Sequence, residues 1–384
     1  MSAETASFDH QIHVAIELSR TTWLVAARLP RAERPQVHRI GGGDPTALLA
    51  LLSSLRARAA GGGGGSVGVV CCFEAGRDGF WLQRLLAAHG IAAHVLEPTS
   101  ILVNRRARRA KTDRLDAEGM LRVLAAHLRG DRQACSMVRV PTPEEEDAKR
   151  MHREREHLVQ ERLRLENRIE ALLFTQGVRE RPSLRSWERD LDAARTGDGR
   201  AVPPHLRAEL DRLRRRLVLV LELIREVEAE RDEAAAAAPA RDEARRKIDA
   251  LQRIRGVGPN FAAVLVREVF YRSFGNRRQL ASYVGIAPMP FQSGGVDRDR
   301  RIGRAGNPRA RTTMIQLAWL WLRYQPGSAL AGWFRERVGT LAGRTRRIAI
   351  VAMARKLLVA LWRYAETGVL PAGVQLGRTT DATA

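Results

Sequence analysis

Residues 143 to 174 read PEEEDAKRMHREREHLVQERLRLENRIEALLF, a run with no glycine, no proline after its first position and a charge at almost every other site. Its apolar residues Met151, Leu158, Leu165 and Leu172 recur every seven positions, with Ile169 between the last two. Such a pattern suits a long helix with one apolar seam and little else. HLRAELDRLRRRLVLVLELIREVEAE repeats it, with Leu206, Leu210, Leu213, Leu217, Leu221 and Ile224 three or four apart. Two such helices predict an antiparallel coiled arm or a dimerising stalk, closed by AAAAAPA at 234 to 240. The arm divides the chain into three expected domains: 1–140, 141–247 and 248–384.

The first segment reads as α/β. HVAIELS and TTWLVAARLP are short apolar runs joined by a polar break, VHRI is a candidate third strand, and SVGVVCCFE is a buried one. GFWLQRLLAAHG then has helical periodicity, IAAHVLEP is a strand stopped by Pro98, and KTDRLDAEGMLRVLAAHL is a helix. GGGGG at 61 to 65 is expected to be a loop.

Charge narrows the partners. Lys plus Arg number 65 against 43 Asp plus Glu, a formal net charge of +22 over 384 residues. That excess favours a polyanion through phosphate neutralisation and counterion release, so nucleic acid is the expected partner. No apolar run is long enough for a membrane span and the N-terminus carries no leader pattern, which predicts a cytoplasmic chain. Three cysteines make no disulfide framework, and no zinc-ligand spacing is present.

Against this positive background two acids stand together, Asp113 and Asp116, directly behind NRRARRA. At i and i+3 they share one face of their helix. Glu17 lies within an apolar strand, and Glu74 ends SVGVVCCFE, where a parallel strand delivers a side chain to a crevice. An acid among apolar neighbours is costly unless it is paired or binds a cation. Singly, Asp113 reads as a helix cap and Asp116 as a partner for Arg114 or another basic neighbour. Jointly, four convergent carboxylates without His or Cys suit Mg²⁺ or Mn²⁺. The basic run, Arg105, Arg106, Arg108, Arg109 and Lys111, would then hold the phosphate backbone on which the metal acts. The element order, a strand hairpin, a third strand, then alternating helix and strand, is that of the ribonuclease H-like fold.

The last segment opens with RIRGVGPNFAAVL, whose Gly256, Val257 and Gly258 form a helix-hairpin-helix signature able to hold a DNA phosphate on backbone amides. Then comes GIAPMPFQSGGVDRDRRIGRAGNPRARTT. In it Ser293 precedes two glycines that allow close approach to a phosphate, and Arg298, Arg300, Arg301 and Arg304 follow. Taken alone, SGG reads as an ordinary turn. Arg309 and Arg311 either contact phosphate or pair with acids of the arm. The terminal tryptophans, set among Leu and Ala, are expected in the core or an interface.

The set Glu17, Glu74, Asp113 and Asp116 with KTDRLDAEGM resembles the N-terminal domain of the DEDD transposases of insertion sequences. These are relatives of the pilin-gene invertases, with a metal site similar to that of the RuvC junction resolvases. RIRGVGPNFAAVL, FGNRRQLASYVGIAPMPFQSGG and RIGRAGNPRAR resemble that family's second domain, so the likeness spans nearly the whole chain. It implies a RuvC-like N-terminal domain, a coiled arm and a mainly helical C-terminal domain. It also implies a recombinase that excises and inserts its element, with Mg²⁺ on the acids and a serine nucleophile that forms a 5′-phosphoserine link. On this chain that serine is Ser293. Double-stranded DNA of the element ends and target, a bridge RNA and a dimeric to tetrameric assembly at the nucleoid are further implications. One departure stands out: the family usually has aspartate where this chain has Glu17, which moves the carboxylate by about one bond length. Two other readings remain, a structure-selective nuclease using metal-activated water and a non-catalytic coiled-coil scaffold.

Overall fold

The structure is a computed structural model that describes residues 10–61, 67–76, 78–101, 112–131, 133–293, 296–339 and 343–377, without the side chains of 99 and 290–300. It falls into two units, Met1–Thr142 and Pro143–Ala384, so the arm and the C-terminal segment belong to one body.

In the first unit β1 (Gln11–Glu17), β2 (Thr22–Arg28) and β3 (Gln36–Gly41) form an antiparallel meander. Helix α1 (Pro45–Ala60) leads to β4 (Gly68–Glu74), and α2 (Trp81–Ala88) leads to β5 (Ala92–Leu96). Both later strands run parallel to β1, giving the order β3-β2-β1-β4-β5 of a ribonuclease H-like sheet. Strand alternation builds two cores. Ile12, Val14 and Ile16 with Val69, Cys71 and Phe73 face α1 and α2. Ala15, Val70 and Cys72 face α3 (Asp113–Leu128) through Ala117, Met120, Leu121 and Leu124. Adjacent Cys71 and Cys72 thus enter opposite layers, as the alternation predicts.

The second unit begins with the short α4 (Pro143–Asp147) and the long α5 (Arg150–Phe174). The 25-residue α5 packs along the 34-residue α7 (Pro204–Ala237), with α6 (Trp187–Ala193) between them. Arg155 pairs with Glu228 and Arg168 with Glu209, so the two long helices are antiparallel. Their seam buries Leu158, Leu165, Ile169 and Leu173 against Leu210, Leu213, Leu217, Val220, Ile224 and Val227. Each fully buried Leu or Ile contributes about 1.5–3 kcal/mol relative to exposure. Trp187 closes the seam, its indole N–H donating to Asp211 at 2.8 Å.

Beyond the arm follow α8 (Glu243–Gln252) and α9 (Pro259–Leu265), the latter running into a π turn, Val266–Phe270. Then come α10 (Arg277–Val284), a hairpin of β6 (Pro288–Ser293) and β7 (Val296–Ile302), and three helices, α11 (Pro308–Tyr324), α12 (Ala329–Val338) and α13 (Arg344–Thr367). Trp321 is fully buried in this core beside Met353, Leu357 and Leu361, whereas Trp319 is 37% exposed.

Candidate active site

Four acids define the candidate centre of the first unit. Ile16 pairs with Phe73 across parallel strands, so Glu17 and Glu74 follow side by side at the C-terminal ends of β1 and β4. Alternation places both on the α3 side of the sheet. Each is half-buried, and together with Ser19, Arg20 and Asp78 they line a cavity of about 580 Å³. Asp113 and Asp116 stand in the first turn of α3, on the same stripe as Ala117 and Met120, which pack on that sheet face. Cys72, two residues before Glu74, donates to the Met120 carbonyl at 3.7 Å.

Among the described residues, the cap and the pairing with Arg114 are filled by other residues. Thr112 is the N-cap, with extended backbone and a hydroxyl accepting from the Leu115 amide at 3.3 Å. Arg114 pairs with Glu118 at 2.9 Å.

The donor set is all carboxylate, which fits a hard divalent cation. Among the described residues, however, no three His, Cys, Asp or Glu side chains are gathered closely enough to hold a metal ion. The sheet pair and the helix pair stand on facing elements without closing into one cage. Like-charged carboxylates oppose such closure until a cation offsets their repulsion. Asp78 was missed at the sequence level, although its position in EAGRDG, directly after a strand end, is where ligands bind in α/β sheets. Arg105, Arg106, Arg108, Arg109 and Lys111 lie outside the described residues. The cysteines are buried thiols: burial pushes Cys71 up to about 12, with Arg56 opposing, and carries Cys72 well above its usual value.

In the second unit Ser293 is the last residue of β6 and pairs with Val296, so it occupies the hairpin tip. Its side chain, with those of Arg298 and Arg300, lies outside the described residues. Arg301 and Arg304 are exposed on the return path, and Arg304 has a left-handed φ of 53°. Arg311 donates to the Arg304 carbonyl at 2.8 Å and so holds that bend. The hairpin root is pinned by Gly303 N–H to Ala287 O at 3.0 Å and Asn307 N–H to Tyr283 O at 2.8 Å. Gly306 lies so close that a Cβ there would come 2.3 Å from the Tyr283 carbonyl.

Beneath this root lies a buried carboxylate that sequence reading did not single out. Glu268, 2% exposed, accepts from His152 Nε2 at 2.9 Å, Arg153 Nε at 2.7 Å and Asn307 Nδ2 at 3.0 Å, with Arg309 Nη1 at 3.5 Å. Burial raises its pKa, but the hydrogen bonds from His152 and Arg153 outweigh burial and hold it well below the usual carboxylate range. Burial keeps His152 below its ordinary value despite Glu268, so it donates as a neutral ring. Arg309 also pairs with Glu156 of the arm. Of the two arrangements open to Arg309 in the sequence, the structure shows the acid-paired one.

The turn Gly256–Gly258 joins α8 to α9 and lines an open groove of about 740 Å³ with Arg155, Arg231 and Arg255. Gly256 has φ 91°, and an added Cβ would come 2.7 Å from the Tyr324 Cβ. Gly256→Ala is therefore expected to cost about 1–3 kcal/mol through overpacking and backbone strain, read as a lowered denaturation midpoint.

Comparison with known proteins fits these observations. Residues 42–176 match the DEDD_Tnp_IS110 transposase model, and residues 248–331 match the model of the IS116/IS110/IS902 transposase family. The chain is 47% identical over 370 residues to "Putative transposase y4rJ" of Sinorhizobium fredii, covering 94% of this chain and 93% of that one. It is 25% identical to the transposase for insertion sequence element IS1328 of Yersinia enterocolitica, covering 68% and 73% of the two chains. It is 26% identical to that for IS1111A of Coxiella burnetii, covering 67% of each. A ribonuclease H-like sheet with acids at its strand ends, joined to a second transposase domain, defines a DNA-processing enzyme of the transposase class. The chain belongs to the IS116/IS110/IS902 family of insertion-sequence transposases.

Proposed function

We propose that this transposase exchanges DNA strands with Ser293 as nucleophile and a divalent cation, Mg²⁺ or Mn²⁺, held by Glu17, Glu74, Asp113 and Asp116. The observation that carries this reading is the side-by-side placement of Glu17 and Glu74 at adjacent parallel strand ends, on the face covered by the helix of Asp113 and Asp116. A bound cation there would stabilise charge developing on phosphoryl oxygens. Glu17 reaches one methylene further than an aspartate, and the roomy cavity beside it accommodates that length.

Ser293 suits attack on phosphorus because it ends a strand at a hairpin tip, ahead of two glycines. Its oxygen bonds to the phosphorus, the bond to the 3′ oxygen breaks, and a 5′-phosphoserine remains. The serine proton passes to solvent and the departing 3′ oxygen takes one up. Attack by a different 3′-hydroxyl reverses the step and releases the serine, so no bond energy is lost. Arg301 and Arg304, exposed beside the hairpin, would steady the phosphate.

The chain works in this reading as three parts, 1–140, 141–247 and 248–384, within a dimer or tetramer whose coiled arms join subunits. Its positive charge takes up both element DNA and a bridge RNA, with Gly256 and Gly258 offering backbone amides to phosphate. No described helix is long and apolar enough to cross a membrane, and the reading has the chain act on DNA in the cytoplasm. Ser293→Ala should abolish both strand exchange and the covalent protein–DNA adduct on denaturing gels. If the alanine protein still cuts and rejoins DNA at the normal rate, attack by water or another group replaces the serine.

A further inference from the structure

Many arginines of the arm are paired with acids, and one stretch gathers several that are not. Arg155, Arg162, Arg168, Arg181, Arg207 and Arg231 each meet an acid within 4 Å. Arg164 on α5 and Arg212, Arg215 and Arg216 on α7 are exposed, and none forms an ion pair or side-chain hydrogen bond among the described residues. Four unpaired, solvated guanidinium groups within one part of a hairpin make a strongly positive patch that an anionic partner can neutralise.

Helical geometry puts them together. The Arg168–Glu209 pair marks one flank of the seam. Arg164 lies four residues before Arg168, while Arg212 and Arg216 lie three and seven after Glu209, so all three continue that flank by about one or two turns. Because α5 and α7 are antiparallel, receding from Arg168 on one helix and advancing from Glu209 on the other move the same way along the arm. Arg215 extends the row outward. Glu161 borders it, three residues before Arg164, and leaves the row strongly positive. The rise from Arg212 to Arg216, about 6 Å, covers roughly two phosphate steps of one strand at about 3.4 Å each.

We infer that Arg164, Arg212, Arg215 and Arg216 form a docking surface for the backbone of duplex DNA, held by the side of the arm. The row complements phosphate in charge and spacing, and DNA is the substrate on which this transposase family acts. Arginine is suited to the task because its fork meets phosphate oxygens in two parallel hydrogen bonds. The contact reads no bases; it fixes where DNA lies along the arm. The inference rests on the DNA-processing role of the chain but not on Ser293 or on the metal.

The test is binding of the full-length chain to a short DNA duplex across a salt series, comparing wild type, R212Q/R215Q/R216Q and R168Q. These side chains are exposed, so an unchanged melting curve is expected for the triple variant. The slope of log affinity against log salt should shrink in magnitude by about 2–3 in the triple variant. R168Q, whose arginine is already matched by Glu209, should leave the slope unchanged. An unaltered slope in the triple variant, or an equal change in R168Q, would overturn the inference. A loss for a duplex RNA with none for DNA would overturn the assignment to DNA. Because binding rather than strand exchange is measured, failure here leaves the catalytic proposal intact, and loss of the Ser293 mechanism would leave this surface standing.

Discussion

Replacing Asp113 and Asp116 together by asparagine is expected to lower strand exchange by more than about a hundredfold while leaving DNA binding in place. Losing an outer partner of a metal ligand already costs about 10–100-fold, and here two charged ligands would go. Both side chains sit in the first turn of α3, one exposed and one half-buried, with Thr112 supplying the cap. Asparagine keeps their size and hydrogen-bonding capacity, so the helix should form as before. Gel-shift and excision assays on the same preparation separate the two effects. A scaffold without catalysis predicts no change in either.

Glu268→Ala is expected to be the most damaging single change to the fold of the second unit. Removing one partner of a buried ion pair costs about 3–5 kcal/mol because the remaining charge stays behind. The lower end applies, since Arg153 is 42% exposed and can turn to water. A loss of about 3 kcal/mol corresponds to a melting point lower by roughly 6–12 °C for a unit of this size. Acid should weaken the same joint. Glu268 is held below its ordinary 4.5 and His152 below its ordinary 6.5. In both cases the unfolded chain takes up protons first, so stability is full above those values and falls with pH, first below about 6.5 and further below about 4.5. Thermal melts between neutral pH and pH 4 should show this fall in wild type, with the Glu268 share absent in the alanine protein.

Sequence pattern revealed most of the architecture because the strands alternate cleanly. Ile12, Val14 and Ile16 take one layer while Ala15 faces the other, as period two requires. The pair of long antiparallel helices was legible from the spacing of its apolar residues, though a strict sevenfold count misplaced part of the seam. Leu172 is only partly buried and Leu173 takes the inner place, as expected for a helix of 3.6 residues per turn, which drifts against a repeat of seven. Less visible were the strands β6 and β7, since VDRDRRI is too charged to resemble a strand and SGG suggests only a turn. Glu268 was hidden because the residues it holds, from His152 to Arg309, are distant in sequence. Among the four acids, the sequence pattern put Glu17 in a strand and Glu74 at a strand end, whereas their side-by-side placement depends on strand register and their relation to the helix pair on loop geometry, neither of which a local pattern encodes.

Titration of the full-length chain with Mn²⁺, comparing wild type with Asp113→Asn/Asp116→Asn, tests the central claim most directly. Wild type should bind the ion at a site that the double variant lacks, with Mg²⁺ competing for it. Equal binding by both proteins would contradict the assignment of these acids to a metal centre.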